Sequence, residues 1–469
     1  MREFLNKFNN KYILFALLLS LLITISSLII THFVIMLEDE ITFIIPRLFY
    51  NNIYFSDRID LSLGRFLPLQ FFDYYLLKFF SPKENFQLLF PAFLIIKMTI
   101  VFILLYKILS DIGKFQKLKP NCLLMLFIFL LFLSYRAFLQ ITLEYKYTEI
   151  TLILFILFFI FCYQRAYFTN KIIYYILALL SAIYSTYMKE TIFIPYFVIG
   201  IINIFFIKKN KKLQFHKHRG KLFNLLLILN GIVLLLCYCG VYFNSYGFYN
   251  KLHRTSFIWI LWDIFIILLF ILGLIKIITF LLKKEKFNIY DSFLIAGISY
   301  STAIFVLGLG GTFYHIVSFS FFLIWLYNYF ITSKKYVKVL YFVCTLMLFQ
   351  GIYYNTSIYF DWLRNKINAT KYFNKFIIGK KVYVCSRYWF NQLNMYYNYF
   401  KGDDVKFYFP DNNHNSNVIQ FEDFDIFIVD SSDPFFNEEH IKIDNHTILD
   451  RYWVTIQWNE VKVYGIRKI

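Results

Sequence analysis

Charge is scarce in this sequence: Asp, Glu, Lys and Arg make up 16% of it, against roughly 25% in a typical globular domain. Several motifs of soluble chemistry are also missing, with no GxxxxGK[ST] phosphate loop, no GxGxxG between strand and helix, no HExxH and no CxxC pair. Gly308, Gly310 and Gly311 in LGLGGTFYH mark a helix end or a flexible turn, not a nucleotide cradle. Cysteine is sparse. Five of the six, Cys122, Cys162, Cys237, Cys239 and Cys344, fall in apolar runs and the sixth is Cys385. Cys237 and Cys239 are two apart and so point to different helix faces, which leaves neither a disulfide framework nor a thiolate metal site.

Apolar sequence is what the chain has in abundance, 59% hydrophobic and 23% aromatic. Runs recur from Tyr12 to Phe360, and many reach the roughly 20 residues a helix needs to cross a bilayer. That excludes a soluble enzyme or a disordered scaffold and predicts an α-helical polytopic membrane protein. About eleven transmembrane helices are expected, near residues 12–36, 86–109, 121–139, 148–163, 172–188, 192–207, 222–244, 257–282, 289–309, 313–331 and 337–360. The first run is too long for a signal-peptide core and is expected to stay as a span. No internal repeat is evident in the spans, which weighs against an inverted-repeat transporter.

The net charge of +19 resembles a nucleic-acid signal until it is located. From Asp361 onward Lys+Arg and Asp+Glu number 14 each, so the whole excess precedes that point. One set of alternate loops holds 22 Lys and Arg and the other ten. By the positive-inside rule the first set, with the N-terminus, is cytoplasmic, and no nucleic-acid partner is read from the charge. The densest basic loop, KKNKKLQFHKHRGK, is an orientation signal first and an anionic-lipid contact second. An odd number of spans then places residues 361–469 outside. There KVYVC, VKFYF, DIFIV, RYWVTIQW and VKVYGI read as strands, Tyr388 to Phe400 as a helix, and Asn459–Glu460 as a tight hairpin connection. The chain thus divides into a transmembrane domain, 1–360, and a small extracytoplasmic α/β domain, 361–469.

The first outer loop, residues 37–85, is longer than a helix connection needs. It opens with Glu38, Asp39 and Glu40 and continues with ITFIIPRLFYNNIYF and SDRIDLSLGRFLPLQFFDYYLLKFF. In the latter Arg58, Arg65, Asp57, Asp60 and Asp73 punctuate apolar residues, which predicts helices lying along the membrane surface. Carboxylates at the mouth of a helical bundle, with arginines nearby, suit a reaction between a phosphate-bearing lipid and a polar acceptor. Acids after an outward helix are also common topology markers. Their adjacency carries a repulsion that a metal ion, an arginine partner or a raised carboxylate pKa would relieve. Lys189–Glu190, between the fifth and sixth spans, forms the second outward constellation; it reads either as a solvated cap or as part of a polar pathway. Arg136, Glu144, Lys146 and Glu149 form a third, ranked lower as rim charges, and His253–Arg254 a fourth. His315, near the outer start of a span, is a speculative ligand.

At Asp39–Glu40 and Lys189–Glu190 the chain resembles the GT-C superfamily of membrane glycosyltransferases. The likeness is to the branch of protein O-mannosyltransferases and of the aminoarabinose transferases that modify lipid A. DEITFIIPRLFYNN followed by GRFLPLQFFDYYLL looks like that branch's order of acidic pair, surface helix and glycine–proline segment, with Gly64, Arg65 and Pro68 on the last. FLPLQ stands where a Pro-Pro-Leu element is often found.

The resemblance implies inverting transfer of a sugar from a polyprenyl-phosphate or polyprenyl-diphosphate donor to a glycan, lipid or protein acceptor. The expected setting is the outer face of the cell (inner) membrane. It implies Asp39 as general base, Glu40 as acceptor-orienting or metal-binding residue, and Lys189 with Glu190 as positioners of donor phosphate and sugar. Arg65 and Arg254 are phosphate candidates from charge and sidedness alone. Glu38 and His253 join them in the substrate-binding set. The pattern leaves the need for a divalent metal ion open; Asp39 and Glu40 are the candidate ligands where one takes part. The alternatives are a glycan-lipid flippase or transporter and a polysaccharide polymerase.

Overall fold

The computed structural model describes residues 22, 59–60, 65–66, 69, 72–73, 86–118, 121–136, 138–143, 149–206, 218–243, 263–282, 287–307, 312–333, 336–359, 379–384, 394, 406–408, 426–428, 446–456 and 459–468. They fall into two compact units, residues 22 and 59–355 in one and those from Thr356 onward in the other.

The first unit is helical. Its helices are α1 (Phe86–Phe115), α2 (Cys122–Leu133), α3 (Phe138–Leu143), α4 (Glu149–Thr169), α5 (Ile172–Met188), α6 (Phe193–Phe205), α7 (His218–Phe243), α8 (Ile264–Leu281), α9 (Ile289–Val306), α10 (Ile316–Thr332) and α11 (Val337–Tyr353). By length and composition six are fit to cross a membrane, within α1, α4, α7, α8, α9 and α11; α2, α5, α6 and α10 are shorter and equally apolar. The chain is therefore a multi-pass helical membrane protein. Helix starts follow local chemistry. The Asn121 side chain accepts from Leu124 N at 3.1 Å to cap α2. Asn288 and Asp291 close a reciprocal capping box on α9.

The expected span 121–139 is broken in two. Ser134 ends α2, and its hydroxyl donates back to the Leu131 carbonyl at 3.1 Å. The carbonyls of Ser134 and Tyr135 are received by the Asn355 amide at 3.5 and 3.0 Å, so the break leaves no orphaned acceptors there. A Cβ on Gly351 would stand 1.6 Å from the Ser134 oxygen, and only glycine lets α11 cross so close.

In α10 nearly every residue is buried, and α4 buries residues around most of its circumference, so these two helices form the centre. The outer helices expose large apolar side chains, Leu225, Leu229 and Leu236 on α7, Leu274 and Ile275 on α8, Phe342 and Phe349 on α11. Such a surface suits lipid rather than water. Side-chain bonds fix the helix directions. Asp73 accepts from Lys97 in the first half of α1 and from Thr151 in the first turn of α4, while Asp111 and Arg165 pair near the other ends of the same helices. α1 and α4 are thus parallel, and α5 returns antiparallel so that Lys189 meets Glu149. We call the end holding Glu149 and Lys189 the upper end. The starts of α8 and α10 and the ends of α2 and α11 lie there too, joined by the ring contacts of Phe319 with Tyr135 and Phe265 and by the bond from Ile264 N to Gln350.

Part of the first loop departs from the helical expectation. Ile59–Asp60 and Arg65–Phe66 pair as antiparallel strands β1 and β2, with Asp60 opposite Arg65. Gly64 between them interrupts a helical pattern and favours a turn. Further on, Leu69 N donates to the Tyr187 carbonyl at 3.0 Å and fastens the loop to the end of α5.

The second unit shows β3 (Lys381–Val384), β4 (Lys406–Tyr408), β5 (Ile426–Ile428), β6 (His446–Ile456) and β7 (Asn459–Lys468). A parallel sheet has the order β4-β3-β5, and β6 and β7 form an antiparallel hairpin. Asn459–Glu460 is not the hairpin connection: both residues belong to β7, Asn459 paired with Ile456 and Glu460 with Thr455. Moving the turn by two residues changes every cross-strand partner but leaves each side chain on its own face, so alternation alone does not fix the choice. The helix expected at Tyr388 to Phe400 lies outside the described residues except for Asn394, which is helical.

Candidate functional site

The upper end gathers ionisable side chains that the apolar helices would otherwise exclude. Lys189, the residue that ends α5, reaches back to the first residue of α4: its Nζ lies 2.5 Å from Glu149 Oε1, with the two side chains 15% and 5% exposed. The same ammonium sits 4.3 Å above the centre of the Tyr314 ring, a cation–π contact that adds to the pairing. Two residues further along α4, Thr151 donates to Asp73 Oδ2 at 2.6 Å, and Lys97 donates to that same oxygen. Asp73 is thereby held in the bundle at 4% exposure, and its second oxygen, Oδ1, is buried without a hydrogen-bond partner.

His315 follows Tyr314 at the start of α10 and is 1% exposed. It lies near enough to Lys189 for the ammonium charge to act on the ring. Its Nδ1 is 3.1 Å from Ser301 Oγ, Ser301 bonds Ser318 Oγ at 2.7 Å, and Ser318 bonds the Gly297 carbonyl at 2.7 Å. Nε2 is buried and unpartnered.

A small cavity lies at the same end of the bundle, lined by Ser134, Tyr135, Arg136, Asp263, Gln350 and Gly351 among others. Asp263 caps α8 by accepting from Phe265 N at 3.0 Å, while its Oδ2 is buried and unpartnered. Arg136 lies 4.4 Å over the Tyr354 ring and its Nε is likewise buried and unpartnered. Arg136 and Asp263 both line the cavity.

The opposite end is closed by comparison. Arg165 grips Asp111 with two bonds, 2.6 and 3.3 Å, and also donates to Tyr174 at 3.2 Å. Asp291 is held by Lys276 at 3.2 Å and by the Trp325 indole at 3.1 Å. Among the described residues the unpartnered buried atoms at this end belong to amides and phenols: Gln164, Asn203, Tyr290 and Tyr327. The unpartnered carboxylate, guanidinium and imidazole atoms, of Asp73, Asp263, Arg136 and His315, all lie at the upper end. Leaving such groups unmet costs more than leaving an amide, which is why their location is informative.

Of the residues expected from sequence, Lys189 is at the centre of this layer. Glu190 begins a short 3₁₀ turn, Glu190–Ile192, and its side chain lies outside the described residues. Arg65 is described in its backbone, opposite Asp60. Glu38, Asp39, Glu40, His253 and Arg254 lie outside the described residues, as do Glu144 and Lys146. Lys97, Thr151, Asp263, Ser301, Ser318 and Tyr314 were not singled out. Lys97 and Asp263 had a signal, being charges inside long apolar runs; the two serines and Thr151 had none without the three-dimensional pairing. Among the described residues no group of three His, Cys, Asp or Glu side chains is arranged to hold a metal ion. Comparison of the chain with family models, curated proteins and solved structures finds no match.

Proposed function

We propose that this chain is a membrane glycosyltransferase of GT-C type. It moves a sugar from a polyprenyl-phosphate-linked donor to a glycan, lipid or protein acceptor at the upper end of the bundle. One observation carries the reading: the buried, unpartnered carboxylate, guanidinium and imidazole atoms gather at that end alone among the described residues. Ionisable groups in an apolar bundle mark a site that handles polar or charged matter. The sugar of a lipid-linked donor must enter from the membrane plane while its phosphate stays near fixed positive charge, and Lys97, Lys189 and Arg136 supply such charge within the layer.

In this reading the acceptor hydroxyl or amine attacks the anomeric carbon, the bond from that carbon to the phosphate oxygen breaks, and inversion follows from attack on the opposite face. The polyprenyl phosphate leaves with its electron pair, and Asp39 takes the acceptor proton. Glu40 orients the acceptor. Lys189, already drawn to Glu149, positions the donor phosphate, with Glu190, Arg65 and Arg254 beside it; Glu38 and His253 complete the binding set. A poorly hydrated site strengthens each of these contacts. An extracytoplasmic upper end is supported by Lys114, Lys117 and Lys171, which stand at or just beyond helix ends of the opposite face. Eleven spans, a cytoplasmic N-terminus, a place in the cell (inner) membrane and an outer α/β domain built on β3 to β7 belong to the same proposal.

The test is the glycan and lipid-linked-sugar profile of cells carrying Asp39→Asn beside wild type and a deletion. The expected result is that the point mutant, present in the membrane at normal level, matches the deletion: one sugar is missing and its donor lipid accumulates. A wild-type profile in the mutant refutes the catalytic role of Asp39, and a wild-type profile in the deletion refutes the transferase reading itself.

A further inference from the structure

The hydrogen-bond chain behind His315 has a direction. The Gly297 carbonyl can only accept, so the Ser318 hydroxyl is its donor. With its one proton spent there, Ser318 Oγ accepts from Ser301. Ser301 has then used its own proton, so its oxygen is the acceptor for His315, and Nδ1 of the imidazole carries the N–H. In the neutral ring Nε2 is left with the lone pair, buried and unmet. A second proton on the ring would place a donor at Nε2 without an acceptor, beside the Lys189 ammonium. Three residues from two helices thus hold one nitrogen as a fixed acceptor, on the residue that follows Tyr314, whose ring the Lys189 ammonium covers.

We infer that His315 is a substrate-positioning residue whose Nε2 accepts a hydrogen bond from a hydroxyl group of a polyol ligand, the sugar of the donor or acceptor, bound against Lys189 and Tyr314. This rests on the transferase reading and adds to it a residue and a specific atom. A hydroxyl is the matching partner because it brings a donor without a charge, whereas a cationic ligand would meet Lys189. Ser301 and Ser318 act through His315 and touch no ligand themselves.

The experiment complements the deletion strain with wild type, His315→Phe, His315→Gln and His315→Asn, and reads transferred glycan per amount of membrane-inserted protein. Phenylalanine keeps the ring and loses both nitrogens, so a loss of about tenfold or more is expected. Glutamine can carry an amide oxygen to the position of Nε2, and activity within about threefold of wild type is expected. Asparagine reaches only the position of Nδ1; it preserves the bond to Ser301, and its activity is expected to fall with that of phenylalanine. A purely structural role predicts the reverse order, asparagine above glutamine. Wild-type transfer by His315→Phe, equal transfer by the two amides, or asparagine above glutamine each overturns the assignment while leaving the transferase reading in place. Should His315→Phe fail to insert, the two amides decide by themselves. A deletion strain with unchanged glycans removes the transferase reading, and the role of His315 goes with it.

Discussion

Glu149→Gln removes the charge that holds Lys189, and the geometry sets the scale of the loss. At 2.5 Å two unit charges in an effective dielectric of about 20 attract by roughly 6–7 kcal/mol. Both side chains are largely out of solvent, so desolvation offsets several kcal/mol of this. The stranded ammonium keeps the Tyr314 ring at 4.3 Å, worth about 1 kcal/mol. A net destabilisation of about 2–4 kcal/mol is therefore expected for Glu149→Gln, and a similar one for Lys189→Met, which strands the carboxylate. The double variant has no stranded charge, so most of the loss should return. A double-mutant cycle by reversible unfolding of the purified protein in micelles reads the coupling directly. Losses that add to within about 0.5 kcal/mol would refute the reasoning, because they would mean the two groups do not depend on each other. Glycan transfer should stay absent in the double variant even where stability returns, since the substrate-facing ammonium is gone.

Two further outcomes follow from the same structure. Gly351→Ala should lower stability by at least about 2 kcal/mol, read as a drop in the unfolding temperature in micelles, because the new carbon meets the backbone oxygen of Ser134 and α11 must shift; an unchanged unfolding temperature would show that the crossing is looser than described. Asp111→Asn weakens the grip of Arg165 at the lower end and should cost about 1–3 kcal/mol while transfer per inserted molecule stays at the wild-type level; a transfer defect at equal protein level would show that the site is not confined to the upper end.

Hydrophobic run length made the helical bundle legible from sequence. Each expected span from the second onward overlaps a described helix, because a run of apolar residues in lipid has few options other than helix. Breaks inside runs were not legible: nothing local in FLSYRAFL tells that α2 stops at Leu133, since the stop depends on Asn355, more than two hundred residues away, receiving the carbonyls. The same limit applies to the site. Lys189 stands out as a charge between two apolar runs, but adjacency in sequence suggests Glu190 as its neighbour in chemistry, and the observed partner is Glu149, forty residues back. Glu149 itself reads as a rim charge until α5 is seen to run antiparallel to α4. His315 shows nothing in sequence beyond being a histidine in an apolar setting; its meaning comes from Ser301 and Ser318, whose hydroxyls look like ordinary helix residues until α9 and α10 are brought together.

The contrast between the two ends also bears on the choice between transfer and transport. A path for a charged headgroup across the membrane needs groups able to receive it along its length, and on both sides, since the cargo must leave as well as enter. Here, among the described residues, the buried carboxylates of the lower end are engaged, Asp111 with Arg165, which also donates to Tyr174, and Asp291 with Lys276 and Trp325. Between the ends, α4 and α10 fill the centre with buried Ile153, Ile156, Phe159, Phe321, Phe322 and Leu323. Opening a polar route through that layer would mean separating two central helices and breaking paired charges beneath them. Chemistry confined to the upper end needs neither, because a lipid-linked substrate brings its own membrane anchor and presents only its headgroup. The arrangement of Asp73, Arg136, Asp263 and His315 therefore favours a reaction on one face over passage between two.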